Sequence, residues 1–136
     1  MPITESAKKV WHEGLAPLMP AAGLCALARA LRDDDPALLQ GATCSPPPLG
    51  SMASFPVEAG CVITYCGWKG SDRKTVIQAE EFFAKACFDC DKTLGEPAAC
   101  RYFINWFDEA PRDEMRNELL PLVEAEIERR LEEAGL

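Results

Sequence analysis

Histidine is almost absent from this chain of 136 residues, which contains a single one, His12. Cys₂His₂ zinc fingers and the di-iron sites of helical bundles use two or more histidines, each at a set spacing from cysteine or glutamate. His12 has no such companion, and no GxSxG segment supplies a nucleophile for a hydrolase triad. We therefore interpret His12 as a residue at the surface or flanking a helix.

Basic residues and long apolar runs are also scarce. The chain carries 14 Lys and Arg against 22 Asp and Glu, a formal net charge of −8. An acidic surface repels nucleic-acid phosphates and anionic headgroups, so neither nucleic acid nor membrane is an expected partner. No apolar run approaches the ~20 residues that span a bilayer. Residues 1–14 lack the apolar core of a secretory signal, and we expect a cytoplasmic protein.

The clearest positive signal is the stretch from Thr75 to Gly95, which predicts a long amphipathic helix. Thr75 and Gln78 have the spacing of a capping box, and Gly95 stands where a left-handed C-cap belongs. Apolar residues recur between these ends at steps of three and four, at Val76, Ala79, Phe83, Ala86, Cys87, Cys90 and Leu94. Burying such a stripe contributes about 1.5–3 kcal/mol per large side chain, so packing decides that this helix forms.

Helical patterns on both sides of this stretch predict an all-α fold in one domain of residues 1–136. The predicted helices are Thr4–Leu15, Leu24–Arg32, Pro36–Gln40, Pro97–Phe107 and Arg112–Ala134, the last with a bend near Asn117–Leu120. A short link at Gly95–Pro97 favours antiparallel pairing of the two helices that it joins. We therefore expect a compact bundle of about five to seven helices around a central antiparallel helical hairpin.

The middle of the chain is less regular. Gly41–Pro56 shows no periodicity, and its prolines at positions 46–48 make it extended rather than helical. Long loops of this kind are often functional. Pro56–Gly67 contains β-branched residues, but we identify no partner strand elsewhere and therefore predict a short buried helix. Trp68–Lys74 is predicted to be a polar loop.

Seven cysteines offer one route to metal or redox chemistry. Their odd number and the expected reducing compartment argue against a disulfide framework. Cys87 and Cys90 share a helical face, and Cys90 and Cys100 lie at equal distances from Gly95 in the predicted hairpin. Together with Cys66 on a neighbouring segment, they would bind zinc, copper or an iron–sulfur cluster if they converged. Buried cysteines more often act as small hydrophobic residues, so packing is the preferred interpretation.

No catalytic motif emerges, and we favour a non-catalytic protein-interaction domain that binds a protein partner or forms a homo-oligomer. Its binding surface is predicted to be a set of apolar residues in irregular chain near the prolines: Leu49, Met52, Phe55 and Trp68. The cysteine-based metal or redox protein is the first alternative. The second alternative is a small-molecule carrier whose pocket is walled by three aromatic residues: Tyr102, Phe103 and Trp106.

Overall fold

The computed structural model describes residues 2–135, and these residues form an all-α bundle. Its six α-helices are α1 Glu5–Lys9, α2 Ala21–Asp33, α3 Val62–Gly70, α4 Val76–Leu94, α5 Cys100–Glu109 and α6 Arg112–Glu133. Two short strands, β1 Cys44–Ser45 and β2 Ala59–Gly60, pair antiparallel, with Cys44 opposite Gly60. The predicted fold class is confirmed. No helix within residues 2–135 combines the length and apolar character that a bilayer-spanning segment needs.

The N-terminal helix begins as predicted but changes its geometry after its first five residues. The Thr4 hydroxyl accepts a hydrogen bond from Ala7 N at 3.1 Å, which fixes the start of α1. The helix then widens into a π-helical segment, Val10–Leu15, and ends in a 3₁₀ turn, Ala16–Leu18. Glycine at position 14 permits close packing here, because a Cβ atom would lie only 2.5 Å from the Cys90 sulfur.

This π-helical segment lies at the centre of the bundle. The segment packs against both α4 and α5. Each of these two helices contacts the segment more extensively than it contacts the other helix. Trp11 of the segment is 1% exposed and stacks on Phe103 of α5, with ring centroids 5.2 Å apart. The core therefore forms around the N-terminal segment as much as around the predicted hairpin of α4 and α5.

Helix α4 has the ends that its sequence predicts. The Thr75 hydroxyl accepts a hydrogen bond from Gln78 N at 3.4 Å, and the Gln78 side chain accepts one from Thr75 N at 3.2 Å. Gly95 adopts the left-handed conformation with φ 70°, which terminates the helix. Along its stripe Ala86 and Cys90 are buried, whereas Phe83 is only partly buried.

The predicted short helix Pro36–Gln40 is wrong. Asp35 Oδ1 accepts a hydrogen bond from Ala37 N at 2.9 Å and forms a turn instead of a helix cap. The backbone beyond this turn pairs with β2: Leu39 N donates to Gly60 O at 2.8 Å, and Gly60 N donates to Ala37 O at 2.9 Å. Pairing with a distant strand therefore replaces the local helical hydrogen bonds.

The predicted helix over Pro56–Gly67 is correct only in its second half. Its first half holds β2, which pairs with the two-residue strand β1 that sequence periodicity does not reveal. Helix α3 begins at Val62 and continues to Gly70. Trp68 consequently lies in a helix and not in the predicted polar loop.

Helix α6 runs without a break across Pro121 and is anchored to the end of α2 by two arginines. Arg116 donates from Nε to Leu31 O at 2.7 Å and from an Nη atom to Arg32 O at 2.9 Å, and an Nη atom of Arg112 donates to Asp35 O, just beyond α2, at 2.9 Å. The Arg116 guanidinium thereby satisfies carbonyls that a helix C-terminus leaves unpaired. These hydrogen bonds hold α6 against the end of α2, although the bonded residues are more than 70 positions apart in the chain.

Candidate functional site

The irregular segment near the prolines is held in place by α4. A 3₁₀ turn forms at Gly50–Ser54, and the chain then pairs with the start of α4. Val76 N donates to Phe55 O at 2.9 Å, and Val57 N donates to Lys74 O at 2.8 Å. The segment is therefore an ordered part of the surface.

Three of the four residues predicted for the binding surface are exposed on this segment. Leu49 is 67% exposed, Met52 39% and Phe55 47%. Ile77, in the first turn of α4 and one residue from the backbone pair with Phe55, is 44% exposed as well. We call Leu49, Met52, Phe55 and Ile77 the apolar surface. Sequence reasoning missed Ile77, because the pairing of Val76 with Phe55 that brings it beside the segment cannot be read from periodicity.

Trp68 differs from the other predicted residues because its side chain contributes to the fold. It is partly buried against the core, and its ring meets the Tyr65 ring edge-on at 5.8 Å between centroids. Lys69 Nζ lies 4.1 Å from the centre of the Trp68 ring, a cation–π geometry. We therefore leave Trp68 out of the apolar surface.

One exposed cation accompanies the apolar surface. Lys74 is exposed, and its backbone pairs with Val57, two residues after Phe55. Its ammonium group donates to Trp68 O at 3.3 Å, which places it near the exposed Lys69. The Lys69 side chain lies over the rings of Tyr65 and Trp68 and lines a cleft with Asp35, so Lys74 is the cation beside the apolar surface. Its positive charge attracts carboxylates.

The structure brings together three of the four cysteines of the metal alternative. Cys87 and Cys90 both lie close enough to Cys100 for the thiols to affect one another's pKa. Cys66 interacts with Cys61 instead. Within residues 2–135, no group of three or more His, Cys, Asp and Glu side chains is placed so that it could hold a metal ion. The arrangement gives the metal alternative no support.

Burial keeps these thiols protonated. Desolvation is the main cause that raises the pKa of Cys90 to about 12, and the neighbouring Cys100 adds to the effect. Desolvation also raises the pKa of Cys87 and of the fully buried Cys66. A thiol of raised pKa is a poor nucleophile and a poor metal ligand, because both roles require the thiolate.

Thiol titration of the native protein should therefore show one rapidly reacting group, that of the exposed Cys25. The buried Cys61, Cys66 and Cys90 are expected to react only as the protein unfolds, and all seven cysteines should react in denaturant. Ellman's reagent, applied with and without a strong chelator, measures this. More reactive thiols and a lower melting temperature in the chelator would instead support the metal alternative.

The three aromatic residues of the carrier alternative do not form one wall. Phe103 and Trp106 are 0% and 3% exposed and belong to the core, whereas Tyr102 is 52% exposed. A cleft of about 190 Å³ lies beside Tyr102, but neither Phe103 nor Trp106 lines it. These residues therefore do not enclose a shared ligand cavity.

Similarity to known proteins adds no functional assignment to this geometry. Comparisons with protein-family models, with curated protein sequences and with solved structures find no significant match. The function must be judged from the residues of the chain itself, and among the sites predicted from sequence the apolar surface has the clearest structural definition.

Proposed function

We propose that this protein is a non-catalytic binding module whose apolar surface docks an apolar segment of another protein. The observation that supports this proposal is the exposure of Leu49, Phe55 and Ile77, 67%, 47% and 44%, on backbone fixed by hydrogen bonds to α4. Covering such side chains removes apolar area from water, which is favourable by roughly 25 cal/mol per Å². An ordered backbone lowers the entropy that docking costs.

The charge around the apolar surface indicates the kind of partner. Lys74 provides a positive charge beside the apolar surface, so an apolar anchor flanked by Asp or Glu residues fits best. A second copy of the chain fits less well, because each copy carries a net charge of −8 and the two repel one another. We therefore commit to a different protein that presents an acidic, apolar segment.

Replacing Leu49 and Phe55 together by serine is expected to abolish this docking. The matched control is Phe88→Ser, since Phe88 is 66% exposed and lies about 16 Å further along α4 than Ile77. Immobilised wild type, double variant and control are incubated with cell extract, and bound proteins are quantified by mass spectrometry. We expect a protein that wild type and Phe88→Ser retain equally and the double variant loses.

Equal thermal melting of the three proteins is required for this comparison, because an unfolded variant would lose its partner trivially. Exposed positions seldom change stability by more than ~0.5 kcal/mol, so equal melting is the expected result. Retention of the same proteins by the wild type and the folded double variant would refute docking at the apolar surface. Concentration-dependent self-association that the double variant loses would instead identify the partner as a second copy.

A further inference from the structure

Met52 differs chemically from the other three residues of the apolar surface. Peroxides oxidise the thioether of methionine to a sulfoxide, and this reaction has no counterpart in leucine, phenylalanine or isoleucine. The Met52 side chain is open to such a reagent, because the residue is 39% exposed. One member of the apolar surface can therefore be changed from apolar to polar without any change of sequence.

Exposure also distinguishes Met52 from the other methionines that the structure describes. The chain has four methionines, and Met19, Met52 and Met115 are the ones within residues 2–135. Met19 and Met115 are 2% and 0% exposed and belong to the core, so an oxidant reaches them only when the protein opens locally. Among residues 2–135, Met52 is therefore the methionine that a dilute oxidant meets in the folded protein.

Met52 also lies in the middle of the apolar surface. Met52 N donates to Leu49 O at 3.0 Å, and Phe55 N donates to Met52 O at 3.0 Å. The three residues are spaced by three positions, the repeat at which side chains of a 3₁₀ turn lie on one side. A partner segment that covers both Leu49 and Phe55 therefore passes over Met52.

Oxidation of Met52 changes what the apolar surface can cover. The sulfoxide carries a polar oxygen, and an apolar partner segment would strip water from that oxygen without offering a hydrogen-bond donor. The hydrogen bonds that order the turn use the main chain of Met52 and not its side chain. Oxidation is therefore expected to weaken docking and to leave the turn folded.

We propose that Met52 is a reversible oxidation site that turns off docking at the apolar surface. The oxidant is a peroxide: its O–O bond breaks, one oxygen bonds to the Met52 sulfur, and the other leaves as water with both peroxide protons. The sulfur loses two electrons, which the peroxide gains. Two thiols of a methionine sulfoxide reductase reverse the step and yield a disulfide and water. This regulation rests on the docking function proposed above.

Peptide mapping after peroxide treatment tests the oxidation site itself. The full chain carries Cys25→Ser, which removes the exposed thiol as a competing target, and is treated with dilute hydrogen peroxide before tryptic digestion. The four methionines lie on four different tryptic peptides, so mass spectrometry follows each one separately. We expect Met52 to form its sulfoxide at least about tenfold faster than Met19 and Met115. In denaturant, the three rates should become similar.

Elution from a butyl column measures how apolar the surface of the treated protein is. The oxidised protein should elute earlier, and methionine sulfoxide reductases for both epimers should restore the original elution. Met52→Leu should abolish this dependence on peroxide. Its matched control, Met19→Leu, changes a buried methionine and should keep the dependence in full. Each variant is compared with its own untreated sample, so an effect of the substitution alone does not enter the comparison.

Capture from desalted cell extract tests the effect of oxidation on docking. Untreated, oxidised and re-reduced protein are immobilised, and the bound proteins are quantified by mass spectrometry. Proteins that the Leu49→Ser, Phe55→Ser double variant loses should also fall about tenfold or more on the oxidised protein and return after reduction. All samples should melt at the same temperature, because the turn keeps its main-chain hydrogen bonds.

Four results would overturn the proposal. Oxidation of Met19 or Met115 as fast as Met52 in the folded protein would remove the selectivity. An elution change that Met52→Leu retains would place the responsible oxidation elsewhere. Equal capture by untreated and fully oxidised protein, while the double variant loses its partner, would refute the regulation and leave docking intact. Equal capture by the untreated protein and the double variant would refute docking, and its regulation with it.

Discussion

Replacing Phe103 by alanine is expected to lower the free energy of unfolding by about 3–5 kcal/mol, the cost of emptying a buried aromatic site. Phe103 is 0% exposed and contacts three other rings, with centroids 5.2 Å away in Trp11, 6.0 Å in Trp106 and 6.4 Å in Phe107. The cavity would lie in the middle of the bundle, where neighbouring helices cannot collapse to fill it. Urea unfolding followed by far-UV circular dichroism measures the loss.

Phe83→Ala is the informative comparison. The sequence places Phe83 in the apolar stripe of α4 and predicts a similar loss, but the structure leaves Phe83 only partly buried. We therefore expect the Phe83 variant to lose about 1–2 kcal/mol, part of the value of a fully buried side chain. A loss within ~0.5 kcal/mol for Phe103→Ala would contradict the position of α5 in the core.

Gly23→Ala should destabilise the protein by about 3 kcal/mol, although the same change inside a helix usually stabilises. A Cβ atom at position 23 would lie 2.3 Å from the carbonyl oxygen of Cys66 and 2.9 Å from its carbonyl carbon. Those atoms are backbone of α3 and cannot rotate away, so α2 and α3 would have to separate. Gly70 makes the reciprocal contact, since its own Cβ would lie 2.5 Å from Gly23 N.

A substitution at the neighbouring position 22 distinguishes the effect of this clash on stability from the effect of helix propensity. Ala22 is exposed in the same turn of α2, and Ala22→Gly should cost only about 1 kcal/mol. Both variants are measured by the same urea unfolding experiment. Equal or greater stability of Gly23→Ala would mean that α2 and α3 do not approach as closely as the structure shows.

The parts of the fold that the sequence predicts are those with local causes. The ends of α4 depend on Thr75, Gln78 and Gly95, whose roles are set within a few residues of each helix end. The errors occur where distant contacts decide. Gly60 pairs with the chain near Ala37 and Leu39, so the expected helix there becomes a turn.

The candidate site shows the same division. Leu49, Met52 and Phe55 lie in a segment whose sequence lacks helical periodicity, and the structure exposes all three. Ile77 joins them only because Phe55 pairs with Val76, a contact between residues 21 positions apart that periodicity cannot reveal.

The most direct test of the proposed function is isothermal titration of the purified captured partner into the wild type and two charge variants. Lys74→Glu reverses a cation beside the apolar surface, whereas Lys92→Glu makes the same change at an exposed position of α4 outside it. The proposed acidic, apolar partner predicts weaker binding to Lys74→Glu by about tenfold and an unchanged Kd for Lys92→Glu. Equal Kd values for wild type, Lys74→Glu and the Leu49→Ser, Phe55→Ser double variant would contradict it.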